Sequence, residues 1–269
     1  MARLGILAGQ GSLPGLLAAA HPKALFGHFA GLAVELPGTE AVELSYERFG
    51  EMFAALHAAG VTDVVFAGGL ARPGLNPANF DAKMRELAPG FLAAMQGGDD
   101  GLLRAVIAAF EAEGFAVRGA HELVPGLTAE PGRLAGPSPS GGDLVDAARA
   151  RAILDALGPL DVGQGAVVAD GQALGVETAQ GTDAMLRFVA ETPARLRQNA
   201  RGVLVKAPKQ GQDLRIDMPA IGPATIAAAA AAGLAGIVIE AGRVLLLDRD
   251  ATCGAADEAG LFLIAEAAG

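Results

Sequence analysis

The chain of 269 residues contains no tryptophan, one tyrosine and one cysteine, and only 4% of its residues are aromatic. The single thiol, Cys253, cannot form an intrachain disulfide, which agrees with a reducing compartment. Every apolar run is shorter than the roughly 18 residues of a transmembrane helix, and the N-terminal run is too short for a signal peptide. We therefore expect a soluble, cytoplasmic protein, and peripheral contact with a membrane surface stays open.

Basic residues are scarce as well. The chain has 20 lysines and arginines but 30 aspartates and glutamates, which gives a net charge of −10. Surfaces that bind nucleic acid are usually basic, so we expect no nucleic-acid partner. Only 19% of the residues are charged. A local group of lysines and arginines could still bind one phosphorylated ligand.

Apolar residues make up 52% of the chain, which is enough for a sizeable core of Ala, Leu, Val and Ile. In the first half, short apolar runs alternate with helical patterns, which predicts a parallel sheet flanked by helices. The predicted strands are Leu4–Ala8, Asp63–Ala67 and Phe115–Arg118, with weaker ones at Phe26–Val34 and Ala41–Leu44. The predicted helices are Leu13–Ala20, Phe49–Ala59, Phe80–Met95 and Asp99–Gly114.

The second half opens with a Pro-, Gly- and Ser-rich stretch and then mixes strands with helices. Two pairs of apolar runs are typical of hairpins that turn at Asp170-Gly171 and Ala241-Gly242. Helices are predicted at Leu144–Leu157, Thr182–Glu191, Thr225–Ala232 and Ala255–Ala267. The fold class is α/β: an N-terminal Rossmann-like parallel sheet with helices in residues 1–132, a linker at 133–142, and a C-terminal mixed α/β domain in 143–269.

Two glycine-rich turns follow predicted strands of the first half. Ligands in open α/β sheets bind outside the carboxyl ends of strands, and the free N–H groups at a helix start suit a phosphate. The alternative is a pair of ordinary strand-to-helix turns and a solvated loop arginine. The candidate binding residues here are Gly9, Gln10, Gly11, Ser12 and Leu13 in the first turn, and Gly69 with Arg72 in the second.

Two further segments place polar residues at predicted helix starts. Asp99 and Asp100 open one helix, where they suit either helix capping or a metal or ribose. Gly181, Thr182 and Asp183 open another, with Thr182 a natural N-cap. Glu177, at a predicted strand end, is a candidate carboxylate for a metal or a ligand.

The most charged segment runs from Lys206 to Asp217 and holds two lysines, one arginine and two aspartates. Lys206, Lys209 and Arg215 suit phosphate oxygens, while carboxylates suit a divalent metal that bridges such oxygens. In an extended segment, Asp213, Arg215 and Asp217 would share one face. The alternative is a surface loop with internal salt bridges.

Taken together, these segments resemble one family, the LpxI-type UDP-2,3-diacylglucosamine pyrophosphatases. The resemblance covers nearly the whole chain through the N-terminal glycine motif, Ala67-Gly68-Gly69, Gly98-Asp99-Asp100, residues 114–123, Gly181-Thr182-Asp183 and Lys206–Arg215. It departs at Ala224, between Gly-Pro and Thr225, where the family typically has aspartate.

The resemblance implies a two-domain enzyme of lipid A biosynthesis that uses Mg²⁺ to hydrolyse UDP-2,3-diacylglucosamine to UMP and 2,3-diacylglucosamine 1-phosphate (lipid X). Lys206, Lys209 and Arg215 would clamp phosphate, and Asp213 and Asp217, with Glu177, would be metal ligands or would position water. Gln212 and Thr225 complete the expected substrate-binding set. Ala224 suggests an inactivated variant.

Two alternative functions remain at this point. A nucleotide-dependent oxidoreductase would need an acidic residue at the end of a second strand, and neither Glu35 nor Glu40 lies at a convincing strand end. A catalytically silent nucleotide- or lipid-binding protein would explain Ala224 directly. Homodimer formation and contact with the inner-membrane surface also stay open.

Overall fold

A computed structural model of the chain describes residues 3–32, 34, 41–70, 74–96, 98–198 and 200–267. The chain divides into two units, the first formed by Met1–Pro125 with Asp213–Asp217 and the second by Gly126–Gln212 with Met218–Gly269. The division falls before the stretch 133–142 that the sequence suggests as a linker, and the first part of that stretch belongs to a strand, Gly132–Ala135.

Parallel strands build the sheet of the first unit, as the alternation of apolar runs and helical patterns predicts. The strands lie in the order β3-β2-β1-β4-β5, and every neighbouring pair is parallel. The order reverses between β1 and β4, which is the topology of a doubly wound Rossmann-like sheet. The strands are β1 Arg3–Ala8, β2 Leu25–Phe29, β3 Ala41–Leu44, β4 Val61–Ala67 and β5 Ala116–Arg118.

The few aromatic residues of the chain are concentrated in the core of this unit. Phe110 is buried between Phe53 and Phe66, with ring centroids 5.1 and 5.2 Å away in edge-to-face geometry. Edge-to-face pairs add to the stability that burial gives. The helices around this core are α1 Leu13–Ala20, α2 Phe49–Ala58, α3 Ala82–Met95, α4 Asp99–Ala112 and α5 Ala120–Leu123.

A mixed sheet forms the second unit, with strand order β6-β13-β11-β9-β7-β8. Its centre, β9, β11 and β13, is parallel, whereas β6 and β7 run antiparallel to their neighbours. A separate parallel pair joins β10 to β12. The strands are β6 Gly132–Ala135, β7 Gly165–Ala169, β8 Gln172–Val176, β9 Val203–Lys206, β10 Ala220–Ile221, β11 Gly236–Glu240, β12 Leu245–Leu246 and β13 Phe262–Glu266.

Helices cover both faces of the mixed sheet. Successive strand residues point to opposite faces, so an apolar strand needs a packing partner on each side. Val203 and Val205 pack with α6 on one face, and Leu204 packs with α7, α8 and α9 on the other. The helices are α6 Gly141–Leu157, α7 Gly181–Ala190, α8 Pro223–Ala231 and α9 Arg249–Ala259. Among the described residues, no helix combines the length and apolar character that crossing a bilayer requires.

Two predictions for the second half need correction. The turn at Ala241-Gly242 makes no hairpin, since β11 pairs with β9 and β13 while β12 pairs with β10. The predicted helix Ala255–Ala267 ends at Ala259, because Gly260 adopts a left-handed conformation (φ 62°), and the remainder forms β13. The hairpin at Asp170-Gly171 is confirmed, with φ of 45° and 72° at the two turn residues.

Candidate functional site

A buried lysine lies at the carboxyl end of a parallel strand in the second unit. Lys206 ends β9 and is only 6% exposed. Its Nζ donates a hydrogen bond to Thr182 Oγ1 and lies 3.8 Å from Glu177 Oε2. Thr182 Oγ1 in turn donates to Glu177 Oε1 over 3.0 Å. We call these three residues the Lys206 cluster; a buried charge is tolerated here because it is paired and hydrogen-bonded.

Strand register brings the members of the Lys206 cluster together. Gly165, at the start of β7, is the register partner of Lys206, and its carbonyl accepts the Glu177 N–H over 2.8 Å. A Cβ at residue 165 would lie 2.7 Å from Glu177 Oε2, so glycine leaves room for the carboxylate. Thr182 enters from the first turn of α7. Sequence analysis does not find Gly165, since nothing in its neighbourhood marks it.

One oxygen of the Lys206 cluster is left without a hydrogen bond. Glu177 Oε2 is buried and accepts none in the structure. A buried acceptor without a donor costs free energy, of the order of 1–3 kcal/mol. This oxygen is therefore available to a donor or a cation that a bound ligand supplies.

Lys209 has a partner that the sequence does not suggest. Its Nζ bonds to Asp161 Oδ1, and both side chains are largely buried. Asp161 follows a short 3₁₀ turn in the left-handed conformation (φ 58°). The Lys209 N–H donates to the buried Gln212 Oε1 over 2.9 Å, which fixes the loop after β9. A phosphate bound by Lys209 would therefore compete with Asp161 for the same ammonium group.

Asp213 and Arg215 belong to the first unit and do not lie on an extended segment. The N–H groups of Ile216 and Asp217 both donate to the Asp213 carbonyl, so the residues form a turn and the predicted common face of Asp213, Arg215 and Asp217 is wrong. Arg215 Nη2 donates to Asp213 Oδ2 over 2.7 Å and Nη1 to Glu111 Oε1 over 2.8 Å. The alternative of internal salt bridges therefore describes this part of the segment.

The Asp213–Arg215 pair also sets the charge states of both groups. Hydrogen bonds from Arg215 lower the pKa of Asp213, against the opposing effect of partial burial. Hydrogen bonds to Asp213 and Glu111 raise the pKa of Arg215. Both groups stay ionised at neutral pH, and Arg215 occupies both oxygens of Asp213.

The glycine turns of the first unit are paired with each other. Gln10 and Gly69 exchange backbone hydrogen bonds of 2.8 and 2.9 Å, and the Gly9 N–H donates to the Ala67 carbonyl. These turns follow β1 and β4, on either side of the point where strand order reverses. Because the N–H groups of Gly9 and Gln10 are used within the protein, a ligand at this turn would meet the start of α1, at Gly11, Ser12 and Leu13.

The remaining predicted residues lie at helix starts or outside the described residues. Asp99 and Asp100 occupy the first turn of α4, where Asp100 accepts from Arg104 Nε over 2.8 Å. Gly181 and Asp183 both lie in the first turn of α7, and Asp183 is exposed there. In α8, Ala224 is exposed and Thr225 Oγ1 accepts the Gly222 N–H over 3.4 Å. Arg72 lies outside the described residues.

The predicted metal ligands are divided between the two units. Glu177 belongs to the second, and Asp213 and Asp217 belong to the first. Within the described part of the chain, no group of three or more His, Cys, Asp or Glu residues could hold a metal ion. Among the predicted metal ligands, Glu177 is the one with a buried carboxylate oxygen, Oε2, that lacks a hydrogen-bond donor.

The fold and the Lys206 cluster define a class: an α/β protein with a Rossmann-like first domain and a mixed-sheet second domain that carries a buried lysine–carboxylate site. Residues 3–127 match the LpxI N-terminal domain and residues 130–264 the LpxI C-terminal domain. The chain belongs to the LpxI family. It is 44% identical, over 98% of its length and 97% of the relative's, to a protein of Caulobacter vibrioides named UDP-2,3-diacylglucosamine pyrophosphatase LpxI.

Proposed function

We propose that this chain is built to hydrolyse UDP-2,3-diacylglucosamine to UMP and 2,3-diacylglucosamine 1-phosphate (lipid X), a step of lipid A biosynthesis in the cytoplasm. The observation that carries this proposal is the likeness to the Caulobacter vibrioides pyrophosphatase, which extends over 98% of the chain. In the proposed reaction, water attacks the β-phosphorus and the bond from that phosphorus to the bridging oxygen breaks.

The Lys206 cluster supports chemistry on a diphosphate. Negative oxygens repel water from phosphorus, and a cation fixed in a site of low dielectric constant offsets that charge without reorganising. Lys206 Nζ is such a cation, because Thr182 orients it and burial keeps bulk water away. Lys209 lies three residues further on and would add a second positive charge once phosphate competes with Asp161.

We include Mg²⁺ in this proposal. The ion usually takes one or two carboxylates together with substrate phosphate oxygens, and Glu177 Oε2 offers one such oxygen. When bound, Mg²⁺ would neutralise phosphate charge and orient the reacting group. Asp213 suits this role less well, since Arg215 already holds both of its oxygens.

Ala224 motivates the experiment that tests the proposed function. A carboxylate in the first turn of α8 would face the positive end of the helix dipole, and Ala224 is exposed there. We expect Ala224→Asp to release UMP from UDP-2,3-diacylglucosamine in the presence of Mg²⁺, at a rate at least about a hundredfold above the unchanged chain. Ala227→Asp, at an exposed position of the same helix, is the matched control and should gain nothing.

A silent nucleotide- or lipid-binding protein is the second candidate, and Ala224 is the observation that favours it. This candidate predicts that the unchanged chain binds UDP-2,3-diacylglucosamine and that Ala224→Asp also binds it without turnover. Equilibrium binding, measured beside hydrolysis on the same preparations, separates the two. Binding without UMP release in the Ala224→Asp variant would replace the enzyme proposal with this one.

A further inference from the structure

The segment 187–201 of the second unit is basic in an acidic chain. It holds four arginines (Arg187, Arg195, Arg197 and Arg201) and one acidic residue (Glu191), so its net charge is 4 − 1 = +3, whereas the whole chain carries −10. One fifth of the 20 basic residues of the chain thus falls within about one eighteenth of its length. Such a local excess needs an explanation beyond the overall composition.

Helix capping explains part of this excess. Arg197 donates to the carbonyls of Val189 and Ala232, at the ends of α7 and α8, and Arg201 donates to the Leu234 carbonyl over 2.6 Å. These bonds fold the segment against the ends of both helices. Their acceptors are neutral carbonyls, so the positive charges of Arg197 and Arg201 are not cancelled.

Capping does not explain the other two arginines of the segment. Arg187 and Arg195 are exposed, and two large apolar side chains stand beside them in sequence: Phe188, 66% exposed, and Leu196, 52% exposed. All 11 phenylalanines lie at described positions, and Phe188 alone among them is exposed. We call Arg187, Phe188, Arg195, Leu196 and Arg201 the arginine–phenylalanine patch.

We propose that the arginine–phenylalanine patch docks the protein on the surface of an anionic lipid bilayer. Guanidinium groups attract anionic headgroups, and a phenylalanine on the same surface inserts at the boundary between headgroups and acyl chains. The choice of a bilayer as the partner rests on the proposed function, because a diacyl substrate resides in a membrane. Arg187 and Phe188 are exposed in the last turns of α7, and Arg195 and Leu196 are exposed in the 3₁₀ turn that follows it.

The position of the patch is compatible with an open site. Thr182, in the first turn of α7, contacts Lys206, whereas Arg187 and Phe188 lie in the last turns of the same helix. Thr182 and Phe188 are six residues apart on this helix, which is about 9 Å along its axis. Docking through the patch would therefore hold the second unit at the lipid while the Lys206 cluster stays uncovered.

Co-sedimentation with vesicles tests this proposal. The full chain is mixed with vesicles of phosphatidylglycerol and phosphatidylethanolamine, and separately with phosphatidylcholine vesicles, at low and at high salt. We expect binding to the anionic vesicles only, weakened by salt. Arg187→Gln with Arg195→Gln should reduce the partition coefficient on the order of tenfold or more, since each basic residue contributes about 1 kcal/mol, or roughly fivefold. Phe188→Ser should reduce it further.

The matched control is Arg85→Gln with Leu92→Ser on α3, where Leu92 is 64% exposed, and its binding should equal that of the unchanged chain. Equal vesicle binding by the patch variants and the unchanged chain would overturn the proposal. It would also be overturned if the unchanged chain bound no vesicles and formed a dimer that the patch substitutions dissociate. Hydrolysis of detergent-dispersed substrate in the Ala224→Asp background reports the proposed function separately. Patch variants should keep that activity and lose activity on substrate held in vesicles.

Discussion

At the scale of single residues, Lys206 is the side chain on which the proposed chemistry most depends. Replacing it with methionine in the Ala224→Asp background should lower kcat on the order of a hundredfold or more, the usual cost of losing one preorganised charge-stabilising donor. Steady-state hydrolysis of UDP-2,3-diacylglucosamine measures the effect. Lys206→Arg is the matched variant; it keeps the charge but changes its shape, so its activity should be intermediate.

Loss of folding has to be separated from loss of chemistry in that experiment. Lys206→Met leaves Glu177 without its cation, and an uncompensated buried charge destabilises a protein. Adding Glu177→Gln removes this charge, so the double variant should unfold nearly as the parent does while remaining inactive. A Lys206→Met variant that folds and retains the parental kcat would show that Lys206 takes no part in the reaction.

The sequence predicts some of this site and cannot predict the rest. Lys206 and Glu177 are found because charged residues at strand ends of an apolar chain are conspicuous. Asp161, the partner of Lys209, is missed because a lone aspartate after a 3₁₀ turn carries no distinctive pattern. Arg215 and Glu111 form an ion pair although they are 104 residues apart, and one sequence holds no signal for that pairing.

At the scale of elements, the pairing of the two glycine turns depends on Gly68. It adopts a φ of 87°, and a Cβ there would collide with the Gln10 carbonyl oxygen. We expect Gly68→Ala to lower the free energy of unfolding by about 2 kcal/mol or more, because left-handed strain alone costs about 1–3 kcal/mol. Urea denaturation provides the measurement.

Gly11 offers a control for this prediction. It also has a positive φ, 97°, but a Cβ at residue 11 would meet nothing within 4 Å. Gly11→Ala should therefore carry the strain without the collision and be the milder change. Equal destabilisation by the two variants would mean that close packing of the turns contributes nothing.

Element prediction succeeds where one pattern is clearly separated from its neighbours and fails where short elements follow each other closely. Leu13–Ala20 is found with its observed bounds because an alternation of strand and helix isolates it. The C-terminal helix is predicted too long, since β13 (Phe-Leu-Ile-Ala-Glu) follows α9 with only Gly260 and Leu261 between them. Two-residue strands such as β10 and β12 exist through pairing partners distant in sequence, which local patterns do not reveal.

At the scale of the whole molecule, the chain order and the structural units do not coincide. Residues 213–217 belong to the first unit although they follow most of the second in sequence. Ile216 packs against the apolar core of the first unit, beside the Arg215–Glu111 ion pair. The stability of the first unit should therefore depend on a residue far from the rest of it in sequence.

Replacing Ile216 with alanine tests this dependence. Ile216 is only partly buried, so we expect the first unit to lose about 1–2 kcal/mol, below the range of about 2–5 kcal/mol for fully buried isoleucine. The chain contains no tryptophan, and its one tyrosine, Tyr46, stacks on Phe29 in the first unit. Tyrosine fluorescence during urea unfolding therefore reports the first unit, and far-ultraviolet circular dichroism reports both.

The matched control is Ile226→Ala, since Ile226 is fully buried in the core of the second unit. Because each unit has its own core, we expect Ile216→Ala to lower the midpoint of the tyrosine transition and Ile226→Ala to lower the circular-dichroism midpoint while leaving the tyrosine midpoint in place. If Ile226→Ala shifted the tyrosine midpoint and Ile216→Ala did not, the assignment of residues 213–217 to the first unit would be contradicted. Equal shifts by both variants would show that the two units unfold as one cooperative structure.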